Sequence, residues 1–233
     1  MAYCDSCLVR NRAICSGLDS EEILALNAIG RRRTLNAGEA LVWEGDESVL
    51  VANVIEGVLK LSSSTSDGRE QIVGVAFPSD FIGRPFGPTT PHGITALTDA
   101  EVCVFSRPDF DRFAAEHPAL EHKLLERTLE ELDRSRSWML LLARKTAEEK
   151  VASFLLEMSD RLGETTVPGC LGALPLTSFD LPFSRQQVAD ILGLTIETVS
   201  RQLTRMKKDG ILDLPARRTI VIRDRSRLEE LAD

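Results

Sequence analysis

Residues 182–214, PFSRQQVADILGLTIETVSRQLTRMKKDGILDL, leave this chain few ways to fold. Two short helical patterns meet at Gly193. Ser184 and Gln187 form a capping pair that opens the first, and Val188, Ala189, Ile191 and Leu192 give it one buried side. Gly193 stands where the backbone must turn sharply with a positive φ. Thr195 caps the second run, whose Val199, Leu203 and Met206 recur at steps of four and three. Two short helices across a glycine corner are the build of a helix-turn-helix, whose second helix lies in the major groove of double-stranded DNA.

The residues left outside carry the matching chemistry. Glu197, Ser200 and Arg201 are candidates for reading bases. An arginine pairs with both O6 and N7 of guanine, a glutamate accepts from the cytosine amino group, and a serine serves either a polar edge or a thymine methyl. Arg185, Arg205 and Lys208 are candidates for phosphates. The runs Ile211–Leu214 and Arg217–Ile222 read as a β-hairpin wing. The bland alternative is an αα-hairpin with a polar outside. A net charge of −8 also argues against nucleic acid at first, but between Leu181 and Arg227 ten Lys/Arg face five Asp/Glu, a local +5 on an acidic body.

Upstream the pattern is different. From residue 31 to about 110 turn signals recur, among them Gly45-Asp46, Glu56-Gly57 and Asp67-Gly68. Between them lie short β-prone runs at Leu41–Trp43, Val51–Ile55, Val58–Leu61, Gln71–Val75 and Glu101–Phe105, which predict a sandwich, barrel or roll. Asp19 and Glu22 cap a short helix before it, with Ile23, Leu24, Leu26 and Ile29. Residues 111–145 read as one long helix. On it Leu125, Thr128, Leu132, Ser135, Met139 and Leu142 form a narrow stripe between charged flanks, which fits pairing with a second copy of the chain. The bland alternative is packing on the chain's own β domain, but the helix is longer than one small domain face needs. Thr146 and Glu149 open another helix, and residues 163–180 read as a loop with a hairpin strand at 172–177. The fold class is α+β. The segments are a cysteine-rich stretch (1–18), a β-roll sensor domain (19–110), a dimerisation helix (111–145) and a winged helix-turn-helix domain (146–233).

Five cysteines remain to be explained. Cys4, Cys7 and Cys15 are crowded near the N-terminus with spacing Cys-x2-Cys-x7-Cys, and Cys103 sits on a late strand of the roll. Four thiolates can hold a [4Fe–4S] cluster or a tetrahedral zinc ion, and the spacing does not separate the two. Cys170, in the Pro/Gly loop, has no neighbouring ligand types and reads as a plain thiol.

With these motifs in view, the chain resembles the Crp/Fnr family of bacterial regulators over nearly its whole length: a β-roll like a cyclic-nucleotide-binding jelly roll, a long dimerisation helix, then a winged helix-turn-helix. The run GLTIETVSRQL resembles the FNR-type branch, as does WMLLLARKTAEEKVASFL at 138–155. The resemblance implies a DNA-binding regulator that acts as a homodimer on inverted repeats of the type TTGAT-N4-ATCAA, with Glu197, Ser200 and Arg201 reading the half-site. It implies that Cys4, Cys7, Cys15 and Cys103 hold an oxygen-labile [4Fe–4S] cluster, in the FnrN/FnrL-like spacing. Cyclic nucleotide is not expected. Family pockets of that kind use a Gly-Glu-Leu run and an Arg-Ser pair, whereas here Arg84 follows Gly83 and no Arg-Ser precedes Thr98. Ser135 stands in the seam where some relatives place an acidic residue.

Rival readings are a regulator of the same build that senses through zinc, nitric oxide or thiol oxidation, and an iron–sulfur electron carrier or enzyme. His92, His117 and His122 are scattered and read as surface residues rather than ligands; no nucleotide loop or nucleophile–base motif speaks for an enzyme. No apolar h-region opens the chain, and its longest apolar stretch, Trp138–Ala143, falls well short of the roughly 20 residues of a membrane span, so a cytoplasmic location and no membrane partner are expected. RNA polymerase is an expected partner, with exposed loops at 62–69 and 78–83 as candidate contacts.

Overall fold

The computed structural model describes residues 4, 7–166 and 175–233, in two compact units, residues 1–132 and 133–233. The described residues of the first unit form eight strands in two antiparallel sheets. One sheet has the order β1 (Gly30–Leu35), β8 (Ala100–Ser106), β3 (Leu50–Glu56), β6 (Phe81–Gly83). The other runs β2 (Ala40–Val42), β7 (Gly93–Ala96), β4 (Leu59–Ser64), β5 (Glu70–Ala76). Strand β3 explains the layering. Its sequence LVANVIE is almost wholly buried rather than alternating, because both of its faces are covered. Ala52 and Val54 join Leu59, Ile82, Ile94 and Val102 in the core between the sheets. Val51 points the other way, into a second core with Phe105, Phe110, Ile23 and Leu120. The turn after β3 needs glycine: Gly57 has φ +85, and a Cβ there would lie 2.4 Å from the Asp99 carbonyl oxygen.

Helices close the outer face of the first sheet. Helix α1 (Ser20–Ile29) starts at the expected Asp19–Glu22 capping box and buries Ile23 and Leu26. The stretch before it does more than carry cysteines. Val9, Ala13, Ile14 and Leu18 are buried, and Ile14–Gly17 forms a 3-10 turn, so this segment is packed onto the roll. The expected long helix at 111–145 is two helices, α2 (Arg107–Glu116) and α3 (Pro118–Arg144). Pro118 disfavours helical geometry at His117, whose φ and ψ are −126° and 83°.

In the second unit, α4 (Ala147–Thr166) opens at the predicted Thr146–Glu149 pair, with the Thr146 amide donating to Glu149 at 2.8 Å. It runs through Gly163, where a loop was expected. The hairpin strand expected at 172–177 falls partly outside the described residues, as does Cys170. The described strand is β9 (Ser178–Asp180), which pairs with β11 (Thr219–Ile222), itself paired with β10 (Leu212–Asp213). Helices α5 (Arg185–Leu192), α6 (Ile196–Lys208) and α7 (Arg225–Ala232) complete the unit.

Candidate functional site

Four cysteines brought from two parts of the sequence line one cavity in the first unit. Cys4, Cys7 and Cys15 come from the N-terminal segment, and Cys103 comes from the middle of β8. The remaining wall is mostly apolar and includes Val9, Ile23, Leu26, Ile55 and Phe105. The thiols are half-buried and none is in a disulfide. Cys4 donates to Asn27 Oδ1 at 3.4 Å, and Cys15 to the Arg10 carbonyl at 3.8 Å. The cavity is tight where β1 begins: a Cβ on Gly30 would lie 2.7 Å from the Phe105 ring and 3.4 Å from Cys103 Sγ.

Burial, and then repulsion from the neighbouring cysteines, pushes both Cys15 and Cys103 up from 9.0 to about 12. Folding therefore favours the protonated thiols. Stability from this source is fully present below pH 9.0 and is lost as pH rises from 9.0 towards 12. The metal-free protein is expected to melt progressively lower across that range. A Cys15→Ala, Cys103→Ala double variant should lose less, and equal losses in the two proteins would count against the assignment.

Among the described residues, no three His, Cys, Asp or Glu side chains converge closely enough to hold a single metal ion. A tetrahedral zinc with sulfurs about 2.3 Å away would draw its ligands to roughly 3.8 Å from one another. In a [4Fe–4S] cluster each thiolate would ligate its own iron, and four thiols lining one largely apolar cavity are a donor set of the kind such a group would need. The histidines lie elsewhere. His92 bonds to Ser63 at 2.8 Å, His117 stacks on Phe113, and His122 pairs with Glu126 at 3.2 Å.

The cysteine segment is tied to α3. Arg127, on that helix, donates through Nη2 to the carbonyl of Arg12, which lies between Cys7 and Cys15. The next residue is Thr128, part of the predicted seam. All six seam residues, Leu125, Thr128, Leu132, Ser135, Met139 and Leu142, are exposed on the single chain, and so is Leu129 between them. At 56% for Leu125 and 69% for Met139, this is a long apolar stripe without a partner in one copy.

The second unit builds an outward-facing helix. Ser184 caps α5 by the expected reciprocal pair with Gln187. Gly193 takes the left-handed conformation, φ 61° and ψ 40°, and Thr195 caps α6 through the amide of Thr198. Val199, Leu203 and Met206 are buried; Glu197, Ser200, Arg201, Thr204 and Lys208 are exposed. Glu197 is held below the usual carboxylate range by its own backbone N–H and by the Thr195 hydroxyl, so it stays an acceptor. The other cations are less free. Arg185 is half-buried, with Nη2 donating to the Arg217 carbonyl at 3.3 Å, and Arg205 pairs with Glu148 at 3.2 Å.

Comparison with known proteins places this architecture. A family model described as a cyclic nucleotide-binding domain matches residues 32–117, and one described as a Crp-like helix-turn-helix domain matches residues 149–231. The transcriptional activator protein FnrL of Cereibacter sphaeroides is 44% identical over 229 residues, covering 98% of this chain and 91% of that protein. The chain belongs to the Crp/Fnr family of transcription regulators. The nitrogen fixation regulation protein FixK of Bradyrhizobium diazoefficiens is 39% identical over 230 residues, 99% of this chain and 94% of that protein. The structure of FixK2 from Bradyrhizobium japonicum matches with a TM-score of 0.77 and 34% identity, covering 88% of this chain and 98% of that one. These relatives fall in the FNR-type branch, and FnrL is named a transcriptional activator and FixK a regulation protein; the family is one of regulators rather than enzymes. This Crp/Fnr regulator is accordingly a DNA-binding transcriptional activator.

Sequence reasoning about this Crp/Fnr protein missed several residues. Arg127 and its bond to Arg12 were hidden because a charged helix residue usually marks only a solvated face. The buried Val9, Ala13 and Ile14 carry an apolar signal, but the cysteines around them drew attention to metal chemistry instead. The loop at 78–83 is not the exposed contact expected: Ser79 and Ile82 are buried and β6 pairs with β3. Within 62–69, only the tip beyond Ser64 is loop.

Proposed function

We propose that this regulator senses oxygen through a [4Fe–4S] cluster held by Cys4, Cys7, Cys15 and Cys103, and that in low oxygen it binds inverted repeats of the type TTGAT-N4-ATCAA as a homodimer in the cytoplasm. The observation that carries this reading is the single apolar cavity shared by those four thiols. When bound, the cluster supplies an oxygen-reactive centre. The rest is the work of the chain. Three ligands on the N-terminal segment and one on β8 tie that segment to the roll, and Arg127 ties the same segment to α3 one residue from Thr128. Holding the segment holds the face of α3 beside the seam. Arg10 and Arg32 ease the charge of the thiolates at Cys15 and Cys103.

Two copies pairing along Leu125, Leu132, Met139 and Leu142 bury the exposed stripe. They present two α6 helices to successive major grooves, one helical turn apart at about 34 Å. A single copy meets only half of an inverted repeat. A coupling of about 1–3 kcal/mol between ligation and pairing gives a 5- to 150-fold response. Leu132→Glu places like charges opposite each other in the seam and is expected to weaken dimerisation at least about tenfold, or roughly 1.4 kcal/mol. Sedimentation of the metal-loaded variant checks this, and an unchanged dimer would remove the seam from the account.

Cyclic nucleotide has no role in this reading, because Arg84 and the absence of an Arg-Ser pair before Thr98 leave no family-type phosphate grip. Contact with RNA polymerase follows from the activator role, with the tip of the β4–β5 turn as candidate surface. Iron, sulfide and zinc analysis of protein prepared without air tests the proposal. Iron and acid-labile sulfide in equal amounts, about four of each per chain, are expected; a colourless zinc protein would overturn it.

A further inference from the structure

One polar side chain interrupts the apolar run of β3. Asn53 is only 4% exposed. It lies on the face of β3 that carries Val51 and Ile55, and Ile55 packs with Cys7, Cys15 and Cys103. In the antiparallel ladder Asn53 stands directly opposite Cys103. Side chains so paired have Cβ atoms about 4.5–5.5 Å apart. Asn53 lines the same cavity as the four cysteines, and its Oδ1 is buried without a hydrogen-bond partner among the described residues. A buried amide oxygen without a partner is costly, and an aliphatic side chain at this position would avoid the cost. The arrangement is accounted for if the partner arrives with the ligand.

We propose that Asn53 is a positioning residue for the cluster, its carboxamide N–H donating a hydrogen bond to a sulfur, either the Cys103 thiolate or an inorganic sulfide. This rests on the cluster reading above. The oxygen and nitrogen of an amide exchange places by a half-turn of the side chain, so the NH2 group reaches the position now held by Oδ1. Thiolate and sulfide are acceptors only, which selects that orientation once the group is bound. A hydrogen bond to sulfur favours the more negative, reduced form of a cluster and so raises its reduction potential. Asn53 thereby sets how readily the centre is oxidised, without being one of its ligands.

The test compares full-length wild type with Asn53→Leu, close in shape but without donors, and with Asn53→Ala should the first fail to fold. Iron and sulfide content, the one-electron reduction potential, and the half-life of the brown colour in air-saturated buffer are measured on each. The expected result is wild-type iron and sulfide, a more negative potential, and a half-life shortened about threefold to tenfold. Potential and half-life unchanged in the loaded variants would overturn the proposal. A drop in melting temperature or iron content with the potential of the loaded fraction unmoved would make Asn53 merely structural, which overturns it as well. Wild type lacking iron and sulfide defeats the cluster reading and this proposal together, whereas a loaded wild type with unresponsive variants defeats this proposal alone.

Discussion

With Cys103 replaced by alanine, protein prepared without air is expected to be colourless, to lack iron and sulfide, and to bind an inverted-repeat duplex about 5- to 150-fold more weakly than wild type. The effect is large because of where Cys103 lies. The other three thiols belong to one short segment, whereas Cys103 is fixed in β8 between β1 and β3. It is the only one of the four supplied by the roll's sheets, so on the proposed reading a cluster bound without it would have no hold on the roll. The fold itself should tolerate the change, since Cys103 is only partly buried and Phe105 and Phe110 remain beside it. Circular dichroism and the melting temperature of the metal-free variant check that point. Cys170→Ser is the matched control and should keep both the colour and the binding. Wild-type DNA affinity in a colourless Cys103→Ala protein would separate DNA binding from the thiols altogether.

The second large effect is at Arg201. This side chain is exposed on α6, in line with Glu197 and Ser200, and the helix turns its Val199, Leu203 and Met206 inward. A bidentate pair with guanine contributes about 1–3 kcal/mol of discrimination. A dimer uses two such pairs, so Arg201→Ala is expected to cost about 2–6 kcal/mol, or from roughly 30-fold to more than 10⁴-fold in affinity for the repeat. Arg201→Lys keeps the charge but not the fork. It should retain most non-specific binding and most of the salt dependence while losing the preference for guanine at its position. Titrations against the repeat and against a duplex changed at that base pair, at two salt concentrations, distinguish the outcomes. Equal affinity of Arg201→Ala for both duplexes and for wild type's site would mean that α6 does not read DNA through this residue.

Much of this was legible in the residues, and the reasons are physical. The helix-turn-helix was readable because every local signal agrees: caps at Ser184 and Thr195, the left-handed Gly193, and an inner stripe at Val199, Leu203 and Met206. The strongly apolar strands of the roll were readable for the same reason. Strand β1 was not. Its GRRRTL, polar at four of six positions, is not among the β-prone runs, and it pairs with β8 in a full antiparallel ladder from Gly30–Phe105 to Leu35–Ala100. The short strands β6 and β7 likewise depend on their partners β3 and β4. At the candidate site the four thiols could be named from spacing and resemblance. Their common apolar cavity, the Arg127–Arg12 tie and the buried Asn53 could not, because each joins residues far apart in the chain. The long-helix reading erred at Pro118, where the stripe of apolar residues outweighed the proline in the pattern although it does not in the backbone.

The most direct measurement follows one anaerobic sample through air. Binding to a labelled duplex carrying the inverted repeat is titrated before exposure, after exposure, and after iron and sulfide are restored under reducing conditions, with iron counted each time. Tight binding, at least about fivefold weaker binding in parallel with iron loss, and recovery on reconstitution is the expected sequence. Constant affinity while the iron comes and goes would contradict the account, since the four thiols would then have no hold over the seam of α3.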